Sequence, residues 1–244
     1  MAIIIGLGSG RSGTVSLARL LNSQEETVCF HEINPCCMSW SGSAGPVFSM
    51  LNEFQSILNN GPRDRVTIDL TSPNRNSPLK RLQDLSEVSC IGDVGFYYLN
   101  YVEQIIPEFT NVKFPCLRRN KTETIRSFIN KMKINSTGIA KLKQLAFRLP
   151  KYRNHWVDHS GEKWLADAKW DKCYPTFEVD SLEQALSLYW HFYYSEAERL
   201  SKKYQQVRIF DVSQLNTSKG QKEILEFCGF SKYKVIKVHE NRGM

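Results

Sequence analysis

The stretch Gly8-Ser9-Gly10-Arg11-Ser12-Gly13-Thr14-Val15-Ser16 stands directly after the apolar run Ile3 to Leu7 and directly before a helical pattern over about Thr14 to Asn22. A continuous apolar run bounded by glycines predicts a strand buried on both faces. A helix that starts straight after such a strand leaves its first-turn N–H groups unpaired, and its macrodipole favours an anion there. Glycines let the backbone curl closely around phosphate oxygens. Ser12, Thr14 and Ser16 add hydroxyl donors, and Arg11 puts a fixed positive charge inside the loop. The stretch therefore predicts a phosphate-binding turn at the head of a strand–helix unit.

The rest of the chain repeats that rhythm. Thr27 to Phe30, Val66 to Leu70, Val88 to Ile91, Val112 to Leu117 and Val207 to Phe210 read as strands, with Val235 to Val238 a candidate last one. Val47, Met50, Leu51, Phe54, Ile57 and Leu58 share one helical face, and Gly61-Pro62 stops that helix. Further helices are expected over Phe96 to Ile106, Lys121 to Lys133, Ser181 to Tyr204 and Gln221 to Cys228, the last ended by Gly229. Strands alternating with helices at this spacing predict a parallel sheet covered on both faces, with ligands beyond the carboxyl ends of its strands. The segment 150–180 breaks the rhythm and carries Trp156, Trp164 and Trp170. It reads as a lid or acceptor-binding insertion, or as a long surface loop. The helical run Tyr189-Trp190-His191-Phe192-Tyr193-Tyr194 reads as core.

A chain of 244 residues suits one large domain. Its net charge of +7 suits an anionic partner, without deciding which. No run approaches the 18 apolar residues of a membrane helix, and the start of the chain lacks the features of a signal peptide, so a cytoplasmic location is expected. Seven cysteines, an odd number with no C-x-x-C, fit reduced thiols. Adjacent Cys36 and Cys37 lack the partners that a metal site needs.

Three kinds of phosphate loop compete for Gly8 to Ser16. The nucleotide-hydrolase loop needs Gly-Lys before Ser or Thr, but here Gly13 is followed at once by Thr14. The dinucleotide fingerprint is met literally by Gly8, Gly10 and Gly13, with Glu32 near the expected ribose-binding acid. In register with the strand end at Gly6 and Gly8, however, Arg11 takes the third glycine's place. The core Arg11-Ser12-Gly13-Thr14, with Leu17 and Leu20 in the helix that follows, resembles the 5′-phosphosulfate loop of sulfotransferases.

A second stretch carries the same resemblance. The strand Val112 to Leu117 runs into Arg118-Arg119-Asn120 and a helix containing Ser127. This resembles the family's 3′-phosphate motif, in which a serine stands eight positions after the strand-end arginine, as Ser127 does after Arg119. Asn120 and Lys121 depart from the family's usual Asp-Pro. Arginine at a helix start opposes the macrodipole, so a bound anion would relieve a cost. Gly92 to Pro107 and Val207 to Gly229 also look like family elements, in family order.

The resemblance implies a three-layer αβα fold with a central, mostly parallel sheet, the P-loop NTPase-like sulfotransferase fold. It implies transfer of a sulfuryl group from 3′-phosphoadenosine 5′-phosphosulfate (PAPS) to a hydroxyl or amine acceptor, leaving adenosine 3′,5′-bisphosphate. By resemblance, Arg11 stabilises the leaving oxygen, Gly10 to Ser16 (Ser12, Gly13, Thr14 and Val15 among them) hold the 5′ end, and Arg119 with Ser127 hold the 3′-phosphate. No metal is required. The base is expected among Glu32, His31 and Asp93, in that order. Ser218-Lys219-Gly220 and His239 to Gly243 each resemble a basic-glycine loop that touches the nucleotide, and each also fits a helix start or a tail. The acceptor class stays open between small molecules and glycans, with no nucleic acid expected. Two rivals stand beside this reading: an NAD(P)-dependent oxidoreductase, and a sulfotransferase-like binding protein without turnover.

Overall fold

The computed structural model describes residues 1–35, 43–70, 73–135, 166–167 and 171–238. Five strands, β1 (Ala2–Gly6), β2 (Thr27–His31), β3 (Cys90–Val94), β4 (Val112–Arg118) and β7 (Val207–Asp211), form one sheet in the order β2-β3-β1-β4-β7. Every pairing in it is parallel. Between β4 and β7 in the chain, β5 (Ala166–Asp167) and β6 (Asp171–Pro175) make a separate antiparallel pair.

Helices cover both faces of the sheet. Side chains alternate along β1. Ile3 and Ile5 join a core with α2 (Gly45–Leu58), α4 (Val102–Glu108), α5 (Lys121–Asn135) and α6 (Leu182–Lys203). Ile4 faces the other way, toward α1 (Thr14–Asn22) and α7 (Ser218–Phe227). All three isoleucines are essentially unexposed, and burial of each contributes about 1.5–3 kcal/mol. The αβα architecture expected from the sequence is the architecture found.

Local chemistry fixes the helix ends. Ser181 accepts a hydrogen bond from the Gln184 amide at 3.2 Å and starts α6. Thr217 does the same for Gly220 at 3.0 Å, so α7 begins three residues earlier than its apolar pattern indicated. Ser218 to Gly220 is thus a helix start. At the far end of α7, Gly229 takes φ +97°, and the amides of Gly229 and Phe230 reach back to the carbonyls of Glu226 and Leu225.

Several sequence expectations change. Val66 to Leu70 is extended but joins no sheet. The Glu53 carboxylate takes the Thr67 amide at 2.8 Å and its hydroxyl at 2.7 Å, and Asp69 bonds the Ile33 carbonyl just beyond β2. Val235 to Val238 is not a strand either. Two buried glutamines stand in for a neighbouring strand: the Gln24 side-chain amide exchanges a pair of hydrogen bonds with the Lys234 backbone, and that of Gln221 does so with Ile236. The helix expected over Phe96 to Ile106 begins as a 3-10 turn, Phe96–Tyr101, before α4. The 3-10 turn Pro73–Arg75 and helix α3 (Asn76–Asp84) carry so few apolar positions that periodicity gave no sign of them. No helix among the described residues is long and apolar enough to cross a membrane.

Gly92 lies opposite Ile4 in the centre of the sheet, and a Cβ there would sit 2.2 Å from the Ile4 carbonyl oxygen. Gly92→Ala must push two central strands apart. A loss of about 1–3 kcal/mol is expected in urea unfolding, with the midpoint lowered and the slope unchanged.

Candidate active site

Strand order sets where a site can form. From β1 the chain crosses to β2 and β3 on one side, then returns to β4 and β7 on the other. The carboxyl end of β1 is therefore the point where the topology reverses, the usual ligand position in an open parallel sheet. The loop Gly8 to Gly13 leaves β1 at that point. Gly10, Arg11 and Gly13 all have positive φ, at +78°, +55° and +94°. Successive residues of this kind turn backbone N–H groups toward one concavity. Gly10 has no room for a side chain, since a Cβ would lie 3.0 Å from the Tyr174 hydroxyl and 3.2 Å from the Phe128 ring. At Gly13 it would lie 2.7 Å from Val212.

Helix α6 holds this loop from beneath. The Gly8 amide donates to the Tyr193 hydroxyl at 2.9 Å, and that hydroxyl donates in turn to the Phe96 carbonyl at 3.1 Å. Burial keeps the Tyr193 phenol protonated, pushing its pKa well above the ordinary value, so it can act both ways. The next phenol, Tyr194, donates to the Leu117 carbonyl at 2.9 Å and lies 3.2 Å from the Ser9 hydroxyl. Of the aromatic run expected as core, Tyr189, Tyr193 and Tyr194 are buried, Trp190 and Phe192 are half-buried and His191 is exposed; Tyr193 and Tyr194 also carry the loop.

The two expected phosphate motifs meet. Arg119, just past β4, donates through Nη1 to the Arg11 carbonyl at 3.3 Å. The Arg11 Nε donates to Ser127 Oγ on α5 at 3.0 Å. Trp190 Nε1 bonds the Arg119 carbonyl at 3.0 Å and fixes the strand end. Arg119 also pairs with Glu123 at 2.9 Å, but both side chains are partly exposed. Such a pair contributes about 0–1 kcal/mol and yields readily to a better anion. A cleft of about 610 Å³ opens here, lined by Gly10, Arg11, Gly13 to Ser16, His31, Glu32 and Arg119. Ser12 is buried beneath the loop, and Ser127 stands behind Arg11.

The other flank of the cleft follows β2. His31 Nε2 lies 3.0 Å from the Thr14 hydroxyl, which ties the β2 end to the loop after β1. Glu32 has φ +53°, an uncommon conformation for a residue with a Cβ. It is held there by the buried Arg75, whose Nε donates to the Glu32 carbonyl at 2.6 Å and whose Nη1 pairs with Asp69 at 2.9 Å. Asp93 sits apart from the cleft lining. Wholly buried, it accepts from the Ile33 amide and from the Tyr97 and Tyr98 hydroxyls, with burial raising its pKa. Its observed contacts brace the His31-Glu32 turn.

Arg75 and the two phenols were not among the expected site residues. Nothing in linear sequence marked them, because their partners lie far along the chain. Of the 150–180 segment, Tyr174 on β6 reaches the cleft wall, while Trp156, Trp164 and Trp170 lie outside the described residues, as do Cys36, Cys37 and His239 to Gly243. Cys29, Cys90, Cys116 and Cys228 are buried free thiols, and burial pushes Cys90 and Cys116 up to about 12. Among the described residues, no group of three or more His, Cys, Asp or Glu could hold a metal ion.

Solved structures share this fold. A sulfotransferase from Alicyclobacillus acidocaldarius aligns over 100% of this chain and 87% of its own, with a TM-score of 0.52 and 12% identity. The sulfotransferase domain from the curacin biosynthetic pathway aligns over 98% of this chain and 78% of its own, with a TM-score of 0.50 and 11% identity. No family model and no curated protein matches the sequence. At such identities the likeness defines the fold, which is sulfotransferase-like.

Tyr193→Phe would leave the Gly8 amide and the Phe96 carbonyl without their shared partner. A loss of about 1–3 kcal/mol is expected in denaturant unfolding. Faster hydrogen exchange at the Gly8 amide would accompany it.

Proposed function

We propose that this chain is a sulfotransferase that takes PAPS as donor and passes its sulfuryl group to a hydroxyl or amine acceptor. The observation that carries the reading is the meeting of two cationic motifs from separate strand ends, Arg11 after β1 and Arg119 after β4, beside Ser127. A donor with phosphate at both its 5′ and 3′ positions needs two such grips. The cleft fits that demand: its loop offers first-turn amides and three positive-φ residues, and its arginines offer planar forks suited to phosphate oxygens.

PAPS, when bound, supplies a sulfuryl group attached to a bisphosphate leaving group. The chain's own residues then divide the work. The amides around Ser12 to Val15 and the hydroxyls of Thr14 and Ser16 hold the 5′ end. Arg11 offsets charge that grows on the leaving oxygen. Arg119 and Ser127 hold the 3′-phosphate. Glu32 and His31 line the opposite flank, where a carboxylate or imidazole would take the acceptor's proton. His31 already touches Thr14, so it has a second duty in joining that flank to the loop.

Strand order weighs against the dinucleotide reading. In the dinucleotide fold the acid-bearing second strand neighbours the first. Here β3 lies between β1 and β2, so Glu32 ends a strand one place removed.

Adenosine 3′,5′-bisphosphate should raise the melting temperature, and NAD(H) should not. Arg119→Ala should weaken bisphosphate binding by about ten- to a hundredfold in calorimetric titration. Unchanged affinity would reject the 3′-phosphate assignment. With an acceptor found by screening, Glu32→Gln should abolish turnover and keep bisphosphate affinity. Full activity in that variant, with loss in His31→Asn, would move the base to His31. Bisphosphate binding without turnover on any acceptor would favour a non-catalytic binding protein.

A further inference from the structure

We propose that Arg75 forms an anion-binding subsite in the β2 half of the cleft, so that the acceptor carries an acidic group such as a carboxylate or sulfate. The proposal rests on the reading above, because it assigns the other half of the cleft to the donor.

The argument begins with the donor inventory of one side chain. Arg75 is only 6% exposed, yet it borders the cleft. A guanidinium carries five N–H groups and cannot lose its charge in a protein. Nε donates to the Glu32 carbonyl, and Nη1 donates to the Asp69 carbonyl at 2.8 Å and to the Asp69 carboxylate at 2.9 Å. Those bonds use three N–H groups. The two on Nη2 have no partner among the described residues. Nη2 is not among the buried polar atoms left without a partner, so solvent reaches this edge of a guanidinium that borders the cleft, where an acidic ligand oxygen can take water's place.

Distance separates this subsite from the donor's grips. Three strand steps part β4, which carries Arg119, from β2, whose following turn Arg75 holds. At the usual strand spacing those strand ends are roughly 14 Å apart, which sets Arg75 and Arg119 on opposite flanks of the cleft. The local charge balance also favours an anion. Arg11, Arg75, Arg119 and Lys131 border the cleft against Glu32 and Glu123, and Glu123 is already paired with Arg119. The Glu32 carboxylate makes no ion pair with Arg75, whose acidic partner is Asp69. The fork is held rigid by that pair, so little side-chain entropy is left to lose on binding.

The test compares D-glucuronate with D-glucose, two sugars that differ in a carboxylate, by calorimetric titration with and without saturating adenosine 3′,5′-bisphosphate. Wild-type protein should bind glucuronate about tenfold or more tightly than glucose, with the bisphosphate present. That preference should vanish in Arg75→Met and persist in Arg11→Met. Equal binding of the two sugars by the wild type, or an undiminished preference in Arg75→Met, overturns the proposal. A third outcome also overturns it: Arg75→Met weakens binding of PAPS but not of the bisphosphate, which would make the donor's sulfuryl group the anion that Arg75 meets. If Arg75→Met fails to fold, Arg75→Lys replaces it, since it keeps the charge but loses the fork, and the preference should fall severalfold. Bisphosphate binding by the wild type is scored separately, so failure of the donor reading and failure of the acceptor subsite give different results.

Discussion

The bond network of the Tyr193 hydroxyl is the point on which the cleft rests. One buried phenol accepts from the first amide of the loop after β1 and donates to the carbonyl that begins the next covering turn. The loop above it places three residues with positive φ within four positions, and one of them, Arg11, has a Cβ. That conformation costs on the order of 1–2 kcal/mol at Arg11. A loop free in water would relax out of it. Here it is over-determined by Tyr193 and Tyr194 beneath, by the Phe128 and Tyr174 side chains beside Gly10, and by Val212 against Gly13.

The same logic governs the β2 flank. Glu32 also holds a positive φ, and it too is fixed from both sides. Arg75 takes its carbonyl, and Asp93 takes the next amide with both carboxylate oxygens. Two buried polar side chains, Arg75 and Asp93, thus act as struts for one half-buried turn. Asp93 accepts from the Ile33 amide and from two phenols, while Arg75 spends three of its five N–H groups on Glu32 and Asp69. The outcome is a cleft whose two walls are each tied down by buried hydrogen bonds, with His31 and Thr14 joining them.

The architecture explains why the two arginine-bearing turns lie far apart in sequence and close in space. A parallel sheet returns the chain to the same edge after every crossover. Residues just past β1 and just past β4 are therefore neighbours, because those strands pair directly. A motif split in this way is hard to mistake for a single-loop binder, since each half alone is an ordinary strand–helix turn. The tail after α7 obeys a related economy: Gln24 and Gln221 supply the hydrogen bonds of a missing strand and lead Val238 to the cleft wall.

Local signals in the sequence determined that the five sheet strands exist (with the middle one displaced, Val88 to Ile91 expected against Cys90–Val94 found), the helix α1 to the residue, the layer class and the two arginine-bearing turns, but not β5 and β6. Each of these depends on neighbours along the chain: an apolar run, a glycine, a helix that must start. Sequence also misjudged Val66 to Leu70 and Val235 to Val238, where apolar alternation was present but side chains of Glu53, Gln24 and Gln221 took the bonds of a ladder. Only the tertiary structure decided that Arg75 borders the cleft, that Tyr193 and Tyr194 hold its loop, and that Asp93 braces a turn. The reason is range. Arg75 meets Glu32 across 43 positions, and Tyr193 meets Gly8 across 185. A buried polar group reveals its purpose only when the partner that satisfies it is beside it.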